Sequence, residues 1–256
     1  MTVYFIGAGP GAADLLTIRG RRLIRRCGVC LYAGSLIPDV VVAEARARGH
    51  EVIDTAPMTL EAIIERIVSA DRAGMDVARV HSGDPALYSA VGEQARALAD
   101  HGIAYEIVPG VPSYAAAAAA AGCELTLPDV CQTVVLTRMT MTAGMALSHD
   151  QLADLARQDA CLAIHLSIRD LRRIVASLIP VWGEDCPILV AVRVSWPDEK
   201  LIWGRLADIA QTVRREKITR TALIMVGPSL RAATFARSKL YDGTRAHLLR
   251  PVPNKA

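Results

Sequence analysis

Two short loops carry the residue types through which this chain could do chemistry. The first, Gly7-Ala8-Gly9-Pro10-Gly11-Ala12, follows the apolar run Thr2 to Ile6 and precedes a helical pattern. It has the G-x-G-x-x-A form that cradles a dinucleotide pyrophosphate on backbone N–H groups. Two details oppose that chemistry. Pro10 has no N–H to donate, and no Asp or Glu between Asp14 and Asp39 is present to bind a ribose. The loop also lacks the Gly-Lys-Ser/Thr ending of a P-loop. What remains is a tight strand-to-helix turn, either ligand-free or open to close approach of a ligand to backbone. The second loop, His81-Ser82-Gly83-Asp84-Pro85, closes the run Val77 to His81 and opens another helix. Asp84 reads either as the cap of that helix or as a carboxylate facing a ligand. In a parallel sheet both loops lie at the carboxyl edge, where ligands bind.

The other reactive residue types have bland alternatives. Of six cysteines, Cys27-Gly-Val-Cys30 has C-x-x-C spacing. A structural zinc site needs a second ligand pair and a redox motif a helix start, so buried free thiols are favoured and no metal is expected. Arg19, Arg21, Arg22, Arg25 and Arg26 crowd one short stretch. They form either a solvated helix face or a site for a polyanion. His165, on an apolar run, is either a satisfied core histidine or a ligand contact. No acid–base pair stands near the loops.

The elements that must position these loops are legible from composition and pattern. The chain has 256 residues, 52% of them hydrophobic but only 4% aromatic, so aliphatic side chains build a sizeable core. Its longest uniform apolar run, Ala115 to Ala121, is far short of the roughly 20 residues of a membrane span, and the N-terminus lacks a basic segment before its apolar stretch. A cytoplasmic protein is expected, with no membrane partner. A net charge of +3 gives no basic stripe for nucleic acid.

Strand-like and helix-like segments alternate: strands at Thr2 to Ile6, Val29 to Ala33, Glu51 to Asp54, Val77 to His81 and Tyr105 to Val108. Helices are predicted over Asp14 to Cys27, Pro38 to Arg48, Thr59 to Gly74 and Leu87 to His101, with Thr59 as N-cap. Pro109-Gly110-Val111-Pro112 interrupts the alternation before an alanine-rich helix. Later strands are expected at Thr133 to Thr137, Cys161 to Leu166, Ile188 to Val194, Lys200 to Trp203 and Ala222 to Val226, with a hairpin-type connection at Trp196-Pro197-Asp198. The fold class is therefore α/β in two domains: residues 1–111 on a mainly parallel sheet, residues 112–245 on a mixed sheet, and a tail over 246–256.

Taken together the motifs resemble the tetrapyrrole (corrin/porphyrin) methyltransferases that use S-adenosylmethionine. The matching residues are Val3 to Gly11 with Asp14, Leu15, Leu16 and Thr17, then Gly83-Asp84-Pro85, Val108 to Val111, and Thr221 to Gly227. The resemblance spans about residues 3 to 245. It departs from the family pattern at Ala12-Ala13, where Asp-Pro is common. Leu31 to Leu36, Leu125 to Pro128, Ala163 to Ser167 and Ser195 to Glu199 resemble a branch that methylates a ring carbon of a precorrin.

The resemblance implies a tetrapyrrole methylase fold with S-adenosylmethionine in an interdomain cleft, leaving as S-adenosylhomocysteine. Its implied contacts are Pro10, His81, Ser82, Gly83, Asp84, Leu87, Ser113, His165, Leu166, Arg193, Val194, Thr221 and Ala222, with Asp84 ranked first. A small-molecule tetrapyrrole would meet Tyr32, Ser35, Tyr88 and Arg138, and a homodimer is implied. Displacement at a sulfonium needs alignment more than acid or base, so no single catalytic side chain is expected. A nicotinamide-dependent dehydrogenase and a non-catalytic carrier of corrinoid intermediates are the rival readings.

Overall fold

Phe5 and Ile6 are chain neighbours and both fully buried, which a strand permits only when both its faces are covered. A computed structural model, describing residues 1–139, 147–158, 160–232 and 234–238, shows how. The expected tail, 246–256, lies outside the described residues. The chain divides into two compact units, one of Met1–Ala120 with Val192–Lys200, the other of Ala121–Ala191 with the chain from Leu201 onward.

The first unit alternates β1 (Thr2–Gly7), α1 (Ile18–Arg26), β2 (Val29–Tyr32), α2 (Asp39–Ala47), β3 (Glu51–Asp54), α3 (Leu60–Arg72), β4 (Val77–His81), α4 (Val91–Asp100), β5 (Ala104–Val108) and α5 (Ser113–Ala121). The strands form one sheet in the order β3-β2-β4-β1-β5, every neighbouring pair parallel. On one face Ile6, Cys30, Ala78 and Val80 pack with Leu23 and Ile24 of α1 and Val41, Val42 and Ala45 of α2. On the other, Val3, Phe5, Leu31 and Val77 pack with Ile63, Ile64 and Ile67 of α3 and Leu98 of α4. Parallel strands therefore end together, which brings all five strand-to-helix loops to one edge.

Local chemistry sets two helix starts later than expected. Thr17 accepts from Gly20 N and caps α1, leaving Ala13–Leu15 as a separate 3₁₀ turn. The segment read as helical from Leu87 begins only at Val91, because Tyr88 and Ala90 hold left-handed backbone. Thr59 caps α3 as predicted, accepting from Ala62 N.

The second unit holds β6 (Thr133–Arg138), α6 (His149–Ala156), β7 (Ala160–His165), α7 (Leu171–Trp182), β8 (Pro187–Val192), β9 (Lys200–Arg205), α8 (Ile209–Arg215) and β10 (Ala222–Val226), β8 and β9 each running one residue into the first unit. Its sheet, ordered β6-β7-β10-β8-β9, is mixed: β6 and β7 are parallel, β7 and β10 antiparallel. No helix among the described residues is long and apolar enough to cross a membrane.

Candidate functional site

At the carboxyl edge of the first sheet the two loops read from the sequence join into one backbone structure. Ala8 N donates to His81 O at 2.7 Å, Gly9 N to Gly83 O at 3.2 Å, and Gly83 N to Gly9 O at 2.8 Å. The β5 junction joins them: a Cβ at Gly110 would fall 2.1 Å from Gly83 O and 2.7 Å from Gly7 Cα. Three chain segments thus approach closer than any side chain allows, which is why the motif needs glycine there. Asp84 fastens the assembly. One carboxylate oxygen accepts from Ala86 N at 2.7 Å, the other from Gly110 N at 2.8 Å. Asp84 is therefore a turn former and also a clamp between the β4 and β5 loops. Ser113 opens α5 beside this junction, its N 4.0 Å from where a Gly83 Cβ would stand.

The segment 193–199 closes the glycine loop from another side. Ala12 N donates to Ser195 Oγ at 3.0 Å, and Trp196 Nε1 donates to Pro10 O at 3.0 Å. With Ala8 and Gly9 N–H engaged and Pro10 lacking one, this loop has few donors left for a pyrophosphate. That hydrogen-bond accounting opposes a dinucleotide site on structural grounds.

Behind the edge lies a buried polar group that the sequence reading missed. Arg79, 6% exposed, reaches only neutral acceptors: Gln94 Oε1 at 2.9 Å, Thr55 Oγ1 at 3.3 Å and Leu31 O at 3.4 Å. Burial pulls its pKa down to about 10. His81, 7% exposed and with Nε2 unpartnered, is pushed down to about 3, by burial first and the charge of Arg79 second. It is a neutral imidazole at any physiological pH. The signal that could have disclosed Arg79 was a charged residue inside a five-residue buried strand.

Tyr32 is buried, and its hydroxyl lies between Asp39 Oδ1 at 2.9 Å and the Arg46 guanidinium at 2.7 Å. Burial and the Asp39 hydrogen bond raise its pKa. Ser35 lies in the exposed loop after β2, whose Gly34 N is held by Asp54 Oδ1 at 2.8 Å. The basic stretch of α1 is largely paired: Arg19 with Glu106, Arg21 and Arg25 with Glu44, Arg26 with Asp76. Cys27 and Cys30 are buried free thiols, each pushed up to about 12 by burial. Among the described residues no cluster of His, Cys, Asp and Glu could hold a metal.

In the second unit four implied residues gather at one sheet edge. Arg138 and His165 are register partners at the carboxyl ends of β6 and β7. Antiparallel β10 pairs Ile224 with Ile164, so Ala222 and the preceding Thr221 lie at that same end. Ser167, fully buried, ties this edge: its Oγ accepts from Met139 N at 2.7 Å and lies 2.6 Å from the carbonyls of Met139 and His165. Burial lowers the pKa of His165.

Four of the eight left-handed non-glycine residues among those described are implied site residues. Tyr88, Leu166, Arg193 and Thr221 have φ of 54°, 55°, 47° and 51°, the left-handed region that non-glycine residues avoid. Each such residue costs about 1–3 kcal/mol, and strain of this kind clusters at ligand sites. Thr221 is β-branched, for which this region is costlier still, and Leu166 is 61% exposed.

Comparison with known proteins follows the same lines. The family model for tetrapyrrole (corrin/porphyrin) methylases matches residues 2–210. A precorrin-4 C(11)-methyltransferase of Pseudomonas aeruginosa is 53% identical over 98% of this chain and 99% of that protein. The crystal structure of a cobalt precorrin-4 methyltransferase superposes with a TM-score of 0.85 at 40% identity, over 90% of this chain and 96% of that one. A uroporphyrin-III C-methyltransferase from Thermus thermophilus, solved with bound S-adenosylhomocysteine, gives 0.74 at 26% identity, over 90% and 94%.

Proposed function

Because the chain belongs to the tetrapyrrole (corrin/porphyrin) methylases, we propose that it methylates C11 of precorrin-4 from S-adenosylmethionine, giving precorrin-5 in cobalamin biosynthesis. The observation that carries the substrate is the 53% identity to a precorrin-4 C(11)-methyltransferase across nearly the whole of both chains. The reading that matches the cobalt precorrin-4 structure, the same methylation on a cobalt-bearing ring, rests on a lower identity of 40%.

What supports the cofactor reading is the carboxyl edge of the first sheet, built of backbone brought together at Gly7, Gly83 and Gly110, with left-handed backbone at Arg193 in the same unit and, in the second unit taken by itself, at Leu166 and Thr221. When bound, S-adenosylmethionine supplies an electrophilic methyl on a sulfonium, which leaves as a neutral thioether. From the first unit Pro10, His81 to Asp84, Leu87, Ser113, Arg193 and Val194 are the proposed cofactor contacts. The second unit's proposed contacts are His165, Leu166, Thr221 and Ala222. Tyr88, Ser35 and Arg138 are proposed to meet the tetrapyrrole, with Arg138 opposite its carboxylates. Tyr32, whose hydroxyl lies between Asp39 and Arg46, is proposed to meet the tetrapyrrole as well.

Alignment and exclusion of water are the chain's contribution. Fixing two reactants in line contributes up to about 7–11 kcal/mol in well-oriented systems. No residue need hold or move a proton at the reacting carbon, and neutral His81 places no charge there. A cytoplasmic homodimer completes the proposal, with light scattering of the purified protein to check the dimer.

The decisive experiment incubates the protein with precorrin-4 and methyl-labelled S-adenosylmethionine and locates the label by NMR. Label at C11 is the expected result. Label at another ring carbon, or turnover confined to the cobalt-bearing ring, overturns the substrate assignment.

A further inference from the structure

We propose that Ser195 and Trp196 are positioning residues of the cofactor subsite, acting by locking the shape of the glycine loop. The inference rests on the methyltransferase reading and adds to it a device that no ligand contact reveals. Trp196 packs against Gly11: a Cβ there would fall 2.2 Å from Trp196 Cδ1 and 2.4 Å from Nε1. The same indole donates to Pro10 O, while Ser195 Oγ accepts from Ala12 N. Both ends of Gly11 are thereby pinned, and its Cα is covered. A glycine flanked by small residues would otherwise be the freest part of the loop.

The pinning segment is itself over-determined. Ser195 has φ of 65° and Arg193 of 47°, yet the turn holds through Trp196 N to Arg193 O at 2.9 Å and Glu199 N to Trp196 O at 3.0 Å. Ser195 N donates to Glu199 Oε2 at 2.6 Å. The Arg193 guanidinium stacks 4.1 Å from the Trp196 ring centroid, and its Nε pairs with Asp198 at 2.9 Å. Two left-handed non-glycine residues, a cation–π stack and an ion pair thus converge on presenting one hydroxyl and one indole N–H to Pro10 and Ala12. A connection that only joined β8 to β9 would need none of them.

The test measures S-adenosylhomocysteine binding by calorimetry and methyl-transfer kinetics in the full-length protein. Trp196→Phe deletes the N–H but keeps a ring. Loss of one such bond weakens binding by roughly five- to tenfold. We expect that rise in Kd and in the KM for S-adenosylmethionine, with kcat at saturating cofactor and the KM for precorrin-4 unchanged. Ser195→Ala should act in the same direction. Gly11→Ala should abolish measurable binding, and Gly11→Ala combined with Trp196→Ala should restore part of it, since the clash is removed. A merely structural tryptophan would lower kcat and the melting temperature without a selective rise in the KM for S-adenosylmethionine. Arg22→Gln serves as the control with unchanged binding.

Wild-type affinity in both Trp196→Phe and Ser195→Ala, or a double variant no better than Gly11→Ala alone, overturns the proposal. Should Trp196→Phe fail to fold, Ser195→Ala decides by itself. Failure of the unaltered protein to bind S-adenosylhomocysteine would sink the methyltransferase reading instead, so the two failures are distinguishable.

Discussion

Asp84 offers the sharpest trial of how the site is built. Asp84→Ala removes an acceptor from Ala86 N, which is exposed, and one from Gly110 N, which is half-buried. A hydrogen bond to a charged acceptor contributes about 1.5–3 kcal/mol; water replaces the exposed one cheaply, so we expect a total loss of about 2–3 kcal/mol. At about 2–4 °C per kcal/mol for a chain of this size, the melting temperature should fall by about 5–10 °C. Asp84→Asn should fall between, because one amide oxygen can serve only one of the two N–H groups. Freed from Gly110, the β4 loop should relax, and S-adenosylhomocysteine affinity should drop by about tenfold, or about 1.4 kcal/mol. Differential scanning calorimetry and titration calorimetry on the same samples measure both. Lost affinity with melting within about 1 °C of the parent would show that the carboxylate reads the ligand directly, and the clamp would be refuted.

Two further outcomes follow from burial and strain. His81 titrates near 3 in the fold against 6.5 when unfolded, so the unfolded chain binds the extra proton. Stability is complete above pH 6.5 and declines as pH falls toward 3, the His81 share between pH 6.5 and 5 being about 2 kcal/mol. Urea titrations should show this slope reduced in His81→Gln; an unchanged slope would refute the burial argument. Leu166→Gly should raise stability by about 0.5–2 kcal/mol, since relief of left-handed strain exceeds the extra entropy of the unfolded glycine. Because Leu166 is a proposed cofactor contact, affinity should fall in the same variant. A destabilised Leu166→Gly protein would show that its conformation carries no strain.

The regular elements of the first unit were legible because each has a local cause. Alternation of loop and apolar run fixed five parallel strands, β3 and β4 to the residue, and the Thr59 cap placed α3. The late starts of α1 and α4 were not legible. Nothing in Tyr88 or Ala90 as residue types announces the left-handed backbone that delays α4. The same holds for Arg79, whose burial among neutral acceptors depends on which helix faces covers β4. Ser195 was visible only as part of a resemblance and Trp196 besides only as part of a connection between strands, because their partners lie some 180 residues away, the Ala12 to Ser195 separation being 183.

The amino-acid sequence by itself determined the α/β class, the carboxyl-edge location of the two loops and, through the order of its motifs, the family. These follow from periodicity, turn formers and glycine requirements, all of which act over a few residues. Tertiary structure alone decided what the polar groups do: Asp84 clamps two loops, Tyr32 is spent on Asp39 and Arg46, and most of the arginines of α1 are paired. A hydrogen bond's partner is fixed by which strands end side by side. No local pattern of residue types encodes that.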